Sequence, residues 1–222
     1  MNSTSSGSPT REVYCLDSIP WMQQRGVSDG AVAITSLPDV SELRLSIAAW
    51  RIWFLETVGR VVGLVSEESA AIFFQSDIKH DGAWIDKGAW VVRAAEDAGA
   101  RVLFHKIISR RQPGLLTLGR PGYTHLIAVS RGMRGPDALP IPDIIVDAGR
   151  SPWVRAMGVR AAAHAVRFAR DHAQARVIVD PFCGVGTVLA VGNALGVDAI
   201  GVERSRKRCE QARALKVRAE EL

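Results

Sequence analysis

Apolar residues in this chain occur in two patterns, largely unbroken short runs and repeats at helical spacing. The runs are bounded by polar or glycine residues, which is typical of strands buried within a sheet. They predict strands at Glu12–Leu16, Ala31–Thr35, Ala70–Phe74, Arg101–Ile108, Thr124–Ser130, Val177–Val179 and Asp198–Val202. The helical repeats predict helices at Ser41–Val65, Lys87–Ala98, Pro152–Ala173 and Ser205–Leu222. Strands that alternate with helices indicate an α/β fold with a mostly parallel sheet.

One pair of predicted strands, 101–108 and 124–130, has no helix between its members. The connecting segment Ser109–Tyr123, SRRQPGLLTLGRPGY, is rich in Arg, Gly and Pro and is predicted to be a loop. Two successive strands joined only by a loop favour antiparallel pairing. We therefore expect an antiparallel hairpin at one edge of the sheet.

The chain has 222 residues, which suits one α/β domain with its own core and is short for two. Its first nine residues, MNSTSSGSP, lack the apolar segment of a secretory signal. No apolar run approaches the length of a membrane span. We expect a disordered tail at residues 1–11, a single domain at 12–222 and no membrane association.

The formal net charge is +5 and is carried mostly by arginine, whose planar guanidinium suits phosphate. A polyanionic partner and a merely basic soluble enzyme fit this charge equally well. The three cysteines, Cys15, Cys183 and Cys209, are odd in number and fit neither a disulfide framework nor a CxxC metal site. That cysteine usage predicts an intracellular protein, most simply a cytoplasmic one, and we expect no metal centre.

The segment from Arg176 to Glu203 contains the most informative pattern in the chain. A buried strand ends at Asp180, a glycine turn follows, and a helix begins near Thr187. Glycines in such a turn let the backbone bend sharply and let a ligand approach the amides at the start of the helix. Glu203 ends the next strand, about twenty residues on, where a carboxylate can accept hydrogen bonds from ribose hydroxyls. The pattern predicts a nucleoside site.

A dinucleotide motif would need a third glycine, and Leu189 stands at that position. The string DPFCGVGT at 180–187 instead resembles the cofactor motif of S-adenosylmethionine-dependent methyltransferases, especially those that methylate amino groups of nucleic acids. An ordinary strand–turn–helix corner is the alternative. The resemblance implies that S-adenosylmethionine is the cofactor. The cofactor-binding residues that it implies are Asp180, Pro181, Phe182, Cys183, Gly184, Gly186, Thr187, Glu203 and the adjoining Arg204.

A second motif precedes the first, as in the permuted class of these amino-methyltransferases. There, the strand matching 31–35 ends in Asp, Asn or Ser, then Pro or another apolar residue, then Pro, then an aromatic residue. Ser36, Leu37 and Pro38 match that pattern. The resemblance implies a Rossmann-like, mostly parallel seven-stranded sheet with an antiparallel edge hairpin and helices on both faces. It also assigns Asp17 to the adenine amino group.

Asp39 departs from the motif, since the fourth position is aromatic in the family. An aromatic side chain there would stack on an extruded base, and a carboxylate cannot do so. Asp39 can instead accept a hydrogen bond from an amino or ring N–H, or act as a general base if a ring nitrogen is methylated. The alternative is that Asp39 forms an N-terminal capping pair with Glu42 for the predicted helix. Both alternatives stay open, and we include Asp39 among the candidate catalytic residues with Ser36, Leu37 and Pro38.

Polar and basic residues elsewhere are candidates for substrate binding. Asp77 and Lys79 follow the strand 70–74, and chemistry in such folds gathers where parallel strands end. Arg110, Arg111, Arg120 and Tyr123 combine basic and aromatic groups in one loop, which suits a phosphate backbone and a displaced base. A solvated surface loop is an equally good interpretation.

These expectations describe an enzyme that methylates a base in nucleic acid. RNA, either tRNA or rRNA, is favoured because the chain has no extra module for reading DNA sequence. Two alternatives remain, a DNA amino-methyltransferase and a cofactor-binding subunit without activity. A protein partner for recognition and a homodimer also remain open. His105 and His125 lie in apolar strands and are interpreted as core residues.

Overall fold

The computed structural model describes residues 8–112, 114–153 and 156–222. An α/β architecture is observed, with helices packed against one large sheet. In chain order the elements are β1 (Arg11–Tyr14), α1 (Ser18–Arg25), β2 (Ala31–Thr35), α2 (Val40–Leu43), α3 (Ile47–Gly63), β3 (Ala71–Gln75), β4 (Ile78–His80), β5 (Ala83–Ile85), α4 (Lys87–Asp97), β6 (Arg101–Ser109), β7 (Tyr123–Ser130), β8 (Ile144–Ile145), α5 (Val159–Asp171), β9 (Val177–Asp180), α6 (Thr187–Ala194), β10 (Asp198–Val202), α7 (Arg206–Ala214) and a 3-10 turn (Ala219–Glu221).

The large sheet has the strand order β1-β10-β9-β2-β3-β7-β6-β8. The first five of these strands are parallel, and β7 is antiparallel to both of its neighbours, β3 and β6. The predicted edge hairpin is therefore present. Strands β2 and β9 are far apart in sequence but pair directly, with Ala33 opposite Val179. Their parallel pairing brings the segments after Thr35 and after Asp180 to the same edge of the sheet.

Helices cover both faces of the sheet, as predicted. On one face α5 and α6 pack over the strands, and Phe168 is buried against Phe104 with ring centroids 4.9 Å apart. On the other face α3 and α4 form a second core around the buried side chains of Trp50 and Phe54. Burial of the strands from both sides explains their nearly continuous apolar sequences.

The sheet has eight strands, one more than predicted. The extra strand is the two-residue β8, which pairs in parallel with β6 at the far edge from β1. A two-residue strand carries too few residues for a recognisable period, so the sequence does not reveal it. The small antiparallel hairpin β4–β5 between β3 and α4 is also absent from the prediction.

Three predicted helices are shorter than expected. The helix predicted over 41–65 is divided into α2 and α3, because Arg44 adopts a left-handed conformation (φ 57°) and Ser46 starts a new helix by accepting from Ala49 N at 3.2 Å. The helix predicted over 152–173 begins only at Val159, and its residues 154 and 155 lie outside the described residues. Gly158 precedes it, and a side chain there would collide with the Ala148 carbonyl. The regular part of the C-terminal helix ends at Ala214.

Two expectations about the chain's ends and cysteines need correction. Residues 1–7 of the predicted tail lie outside the described residues, but Arg11 begins β1 and Thr10 N donates to Asp198 at 2.7 Å. Cys15 and Cys209, which the sequence leaves unpaired, form a disulfide with Cα atoms 6.0 Å apart. They are 194 residues apart in sequence, so only the fold brings them together. Within the described residues, no helix is long and apolar enough to cross a membrane.

Candidate cofactor and acceptor sites

The turn between β9 and α6 has the backbone that its glycines allow. Gly184 (φ 53°) and Gly186 (φ 79°) are both in the left-handed region, which favours residues without a side chain. An added Cβ on Gly186 would lie 2.8 Å from Ala212, so α7 packs directly on this turn. An added Cβ on Gly184 would meet nothing within 4 Å. The turn is therefore fixed by packing on one side and open on the other.

A cavity lies over this turn, and most of the predicted cofactor residues line it. Their side chains come from three successive parallel strand ends, those of β9, β10 and β1. The lining includes Asp17, Asp180, Phe182, Cys183, Gly184, Thr187, Glu203 and Arg204. Two predicted residues lie behind the wall instead. The Pro181 carbonyl accepts a hydrogen bond from Ser18, and Gly186 contacts α7.

Asp17 and Glu203 are carboxylates that local hydrogen bonds hold in place at this cavity. Asp17 is the N-cap of α1 and accepts from Ile19 N at 2.9 Å, while its side chain remains exposed. Glu203 is buried, and its Oε1 accepts from Ser205 N at 2.7 Å. Arg208 Nη1 lies 3.9 Å from Glu203 Oε2. Both carboxylates are thus fixed in orientation by backbone contacts.

The side-chain hydroxyl of Thr187 bears on whether a polar ligand fits this cavity. Its hydroxyl is buried at the start of α6 and has no hydrogen-bond partner among the described residues, although the residue lines the cavity. A buried hydroxyl without a partner is costly, and a ligand group that bonds to it removes that cost. Together with the open backbone at Gly184, this hydroxyl fits a polar ligand in the cavity. The residues present therefore fit a nucleoside cofactor.

Asp180 is more deeply buried than Glu203 in the cavity wall. Its Oδ1 accepts from Thr35 Oγ1 at 2.7 Å and from Phe182 N at 3.1 Å. Burial and, to a smaller extent, the nearby Glu203 carboxylate raise the pKa of Asp180 to about 7, against the lowering effect of the two hydrogen bonds. Burial also raises the pKa of the Cys183 thiol. Cys183 is therefore an inert wall residue, whereas Asp180 changes protonation near neutral pH.

The segment Ser36–Asp39 lies between the cofactor cavity and a second cavity. Ser36 and Leu37 line both of them, and Pro38 lines the first. Ser36 is exposed at this junction, while the Leu37 side chain is anchored in the core. The Pro38 carbonyl accepts from Trp50 Nε1 at 3.1 Å, which ties the segment to α3. The segment is thus held rigidly where the two cavities meet.

Asp39 is both a helix cap and one half of an ion pair. It occupies the N-cap position of α2, and its amide donates to Glu42 Oε1 at 3.3 Å. The capping pair predicted as one alternative is present, although it caps the short α2 and not one long helix. The Asp39 carboxylate also accepts from the side-chain ammonium of Lys87, which is buried at the start of α4. These contacts leave the catalytic alternative as a prediction.

Lys87 is a site residue that the sequence does not reveal. Its ammonium lies 5.9 Å from the Trp50 ring, and the residue lines the second cavity. In the sequence it is merely the first residue of a predicted helix, a position where lysine is commonly exposed. No local pattern relates it to Asp39, which lies 48 residues earlier.

The second cavity brings the predicted substrate residues together with the acceptor segment. Lys79 comes from the β4–β5 hairpin, and the arginines come from the loop between β6 and β7. Of the predicted substrate residues, this cavity is lined by Asp77, Lys79, Arg110, Arg111 and Arg120. Arg110 Nη1 also reaches Ser76 Oγ at 3.5 Å. Basic side chains thus surround the entrance to the junction at Ser36 and Leu37.

Asp77 and Tyr123 are engaged with the protein itself. Asp77 is only 3% exposed, and it accepts from Tyr123 Oη at 2.9 Å and from Lys87 N at 2.9 Å. His125 Nε2 approaches the same carboxylate at 3.1 Å. Burial alone would raise the pKa of Asp77, but the hydrogen bonds of His125, Tyr123 and the Lys87 amide outweigh it and lower that pKa. These contacts position the cavity wall, and substrate contact by Asp77 and Tyr123 stays a prediction.

The two histidines differ from each other in their surroundings. His125 is buried as predicted, whereas His105 is exposed, with its Nε2 2.8 Å from His125 Nδ1. Asp77, Asp86 and His125 bring three potential ligand atoms within 4.8 Å of one another. Those atoms are already engaged in hydrogen bonds, since Asp86 caps α4 by accepting from Ala89 N at 2.8 Å. The two carboxylates of the cluster accept hydrogen bonds from backbone amides at the start of α4, which accounts for their position.

No protein-family model and no curated protein sequence matches the chain. Solved structures do match over nearly the whole length. A putative DNA modification methylase from Thermus thermophilus has 18% identity and a TM-score of 0.71, covering 91% of this chain and 92% of that one. The same methylase complexed with S-adenosylmethionine gives a TM-score of 0.68 at 17% identity, with 91% of each chain covered.

Two further solved structures also match nearly the whole chain. M1.HpyAVI in complex with S-adenosylmethionine has 15% identity and a TM-score of 0.60 over 92% of this chain and 98% of that one. The cytosine-N4-specific PvuII DNA methyltransferase has 12% identity and a TM-score of 0.72 over 93% of this chain and 86% of that one. The chain therefore has the fold of these DNA methyltransferases.

Proposed function

We propose that this protein transfers a methyl group from S-adenosylmethionine to the amino group of a base in nucleic acid. The observation that carries the proposal is the junction at Ser36 and Leu37, which line both the cavity that fits a nucleoside and the basic cavity beside it. The sequence alone favours RNA. The structural neighbours are named as DNA methylases, and for that reason we now favour DNA over RNA.

Cofactor binding is assigned to the first cavity. When bound, S-adenosylmethionine supplies a methyl group already activated by its sulfonium charge. Glu203 has a second carboxylate oxygen beyond the one that accepts from Ser205, and we assign it to the ribose hydroxyls. We assign Asp17 to the adenine amino group and the orphan hydroxyl of Thr187 to a polar group of the cofactor. Arg204 at the rim donates to the Glu42 carbonyl at 2.8 Å, so it closes the cavity wall.

The acceptor segment addresses the difficulty of methylating a base amino group. The lone pair of such a nitrogen is delocalised into the ring, which makes it a poor nucleophile. Two acceptors placed for a tetrahedral nitrogen favour the transition state over the planar ground state. We assign those acceptors to Ser36 Oγ and the Leu37 carbonyl. Pro38 fixes their geometry through its bond to Trp50.

Nucleic-acid binding is assigned to the basic residues around the second cavity. Lys79, Arg110, Arg111 and Arg120 all line it, and guanidinium groups suit phosphate oxygens. An exocyclic nitrogen can reach the junction only if its base leaves the stack. The position of the second cavity between the junction and the arginine loop supports an extruded base as the acceptor.

A cofactor-binding protein without transferase activity is the second candidate. Asp39, paired with Lys87, stands where the resembling family has a stacking aromatic residue, and this observation favours the candidate. Titration calorimetry with S-adenosylmethionine, followed by labelled methyl transfer to DNA, RNA and free nucleosides, separates the two. We expect binding and label in DNA. Binding without label in any pool would support the silent protein, and absence of binding would refute both.

A further inference from the structure

The loop between β6 and β7 combines exposed leucines with flanking arginines. Leu115 is 59% exposed, Leu116 92% and Leu118 95%, although they lie close together in the chain. Single exposed leucines are common, but neighbouring apolar side chains almost wholly in water usually mark a contact site. The second feature is a set of arginines around them. We call Leu116 and Leu118 the leucine tip.

One residue of the leucine tip, Leu118, lies in the wall of the second cavity. Leu118 lines that cavity together with Thr117 and Gly119, so the tip stands directly beside the proposed acceptor site. The loop is anchored at its base, where Arg110 N donates to the Gly122 carbonyl at 2.8 Å. The two ends of the loop are therefore joined beside the second cavity.

Arginines flank the leucine tip on both sides in sequence. Arg110 and Arg111 precede it and Arg120 follows it, and all three line the same cavity. Three cationic groups around an apolar tip do not suit a second copy of this loop, because the like charges would repel. They suit a base-paired nucleic acid, which has anionic phosphates on its outside and stacked, largely apolar bases inside.

We propose that the leucine tip is a wedge that enters the base stack of double-stranded DNA and fills the space left by an extruded base. The inference rests on the proposed function and names the form of its substrate as duplex. Apolar side chains inserted between base steps unstack them, and arginines on either side hold the phosphates of the opened step. Filling the gap slows return of the base, which keeps it available at Ser36.

The test uses binding, so that it does not depend on turnover. The probes are a fluorescent duplex of about 24 base pairs of mixed sequence and the same duplex with one central abasic site. The gap in the second duplex removes the cost of opening the stack, so we expect wild-type protein to bind it about tenfold more tightly. The variant Leu116→Ser/Leu118→Ser should bind both duplexes equally.

Ile52→Ser is the matched control, since Ile52 is 61% exposed on α3 and lines neither cavity. It should keep the tenfold preference for the abasic duplex. Both variants alter exposed side chains and should melt as wild type does. Equal affinity of the wild-type protein for the two duplexes, or an unchanged preference in the double serine variant, would overturn the wedge.

Two further readouts separate this inference from its rivals. If size-exclusion chromatography shows a dimer that the double serine variant alone disrupts, the tip binds a second copy and the wedge is wrong. Methyl transfer to genomic DNA is measured in parallel with the wild-type protein. A preference for the abasic duplex without any methyl transfer would support the wedge and refute the enzymatic function. Methyl transfer without that preference would support the enzymatic function and refute the wedge.

Discussion

The buried ammonium of Lys87 donates a hydrogen bond to the carboxylate of Asp39 at the edge of the acceptor cavity. This pair occupies the position where the resembling methyltransferases have a stacking aromatic residue. A lysine held at 2% exposure needs a compensating charge, because an unpaired buried ammonium is strongly destabilising. Asp39 therefore has a structural role that its position in the motif does not indicate.

Asp39→Asn should destabilise the protein by about 1–3 kcal/mol. Asparagine caps a helix as well as aspartate does, but it cannot neutralise Lys87. The expected loss is smaller than for a fully buried pair because the Asp39 side chain is one-third exposed. Chemical denaturation measures the change. An Asn variant as stable as the wild type would mean that the ion pair contributes nothing.

A double variant isolates the chemical role of Asp39 from this stabilising role. Lys87→Met removes the buried charge while preserving much of the side-chain volume, so Asp39→Asn/Lys87→Met should recover most of the lost stability. If Asp39 also acts on the acceptor as a base, the recovered protein should turn over about 10²–10⁴-fold more slowly. Full activity in the stable double variant would leave Asp39 with a structural role alone.

Glu203→Gln should weaken binding of S-adenosylmethionine by about 2–4 kcal/mol. The amide keeps the shape of the side chain but loses the charge-assisted hydrogen bonds assigned to the ribose. Glu210→Gln is the control, because Glu210 is exposed on the neighbouring helix α7 and lines neither cavity. Calorimetry on both variants measures the difference. Equal affinities of the two variants for S-adenosylmethionine would mean that Glu203 does not contribute to cofactor binding.

Asp180 should make the stability of the cofactor-free protein decrease between about pH 4 and pH 7. Its pKa is raised by burial from 3.8 to about 7, so across this window the folded state holds a proton that the unfolded state has released. Stability falls with rising pH wherever the folded state binds more protons. Asp180→Asn should flatten this dependence in denaturation curves. The same slope in wild type and variant would exclude Asp180 as its source.

The same residue should couple cofactor binding to pH. A sulfonium cation in the cavity favours ionised Asp180, so affinity for S-adenosylmethionine should rise by up to about tenfold per pH unit below 7. S-adenosylhomocysteine has no sulfonium charge and should show a weaker dependence. Parallel slopes for the two ligands would place the sulfonium away from Asp180.

Replacing Arg110, Arg111 and Arg120 by Gln should reduce both duplex affinity and its salt dependence. Each phosphate contact that is lost lowers the slope of log K against log salt by about 0.9, so three contacts account for about three units. Arg93 and Arg206, which are exposed and line neither cavity, form the control pair. An unchanged slope in the triple variant would mean that the loop is a solvated surface loop that does not contact phosphate.

The sequence predicts the corner at β9 and α6 well because its determinants are local. Asp180, the two glycines and the helix start lie within eight residues, and strands β2 and β10 have the bounds that their apolar runs indicate. Ser36 comes to lie next to this corner because β2 and β9 pair directly in the sheet. The local sequence thus predicts the turn itself, and the strand order of the sheet brings the acceptor segment beside it.

The remaining features depend on contacts between distant segments. Lys87 meets Asp39 across 48 residues, and Cys15 meets Cys209 across 194, so no spacing in the sequence relates them. Asp77 sits among polar residues in the sequence, yet His125 and Tyr123 come from β7 and enclose it. Tertiary packing decides whether a polar residue is available to a substrate, and no local pattern in the sequence shows that packing.

The most direct test of the proposed function locates the transferred methyl group. Purified protein is incubated with S-adenosylmethionine carrying an isotopically labelled methyl group and with unmethylated genomic DNA, and the digested nucleosides are analysed by mass spectrometry. We expect label on an exocyclic amino nitrogen of cytosine or adenine, abolished or strongly reduced in Glu203→Gln and retained in Glu210→Gln. Label on a ring carbon, or no label in DNA from protein that binds the cofactor, would contradict it.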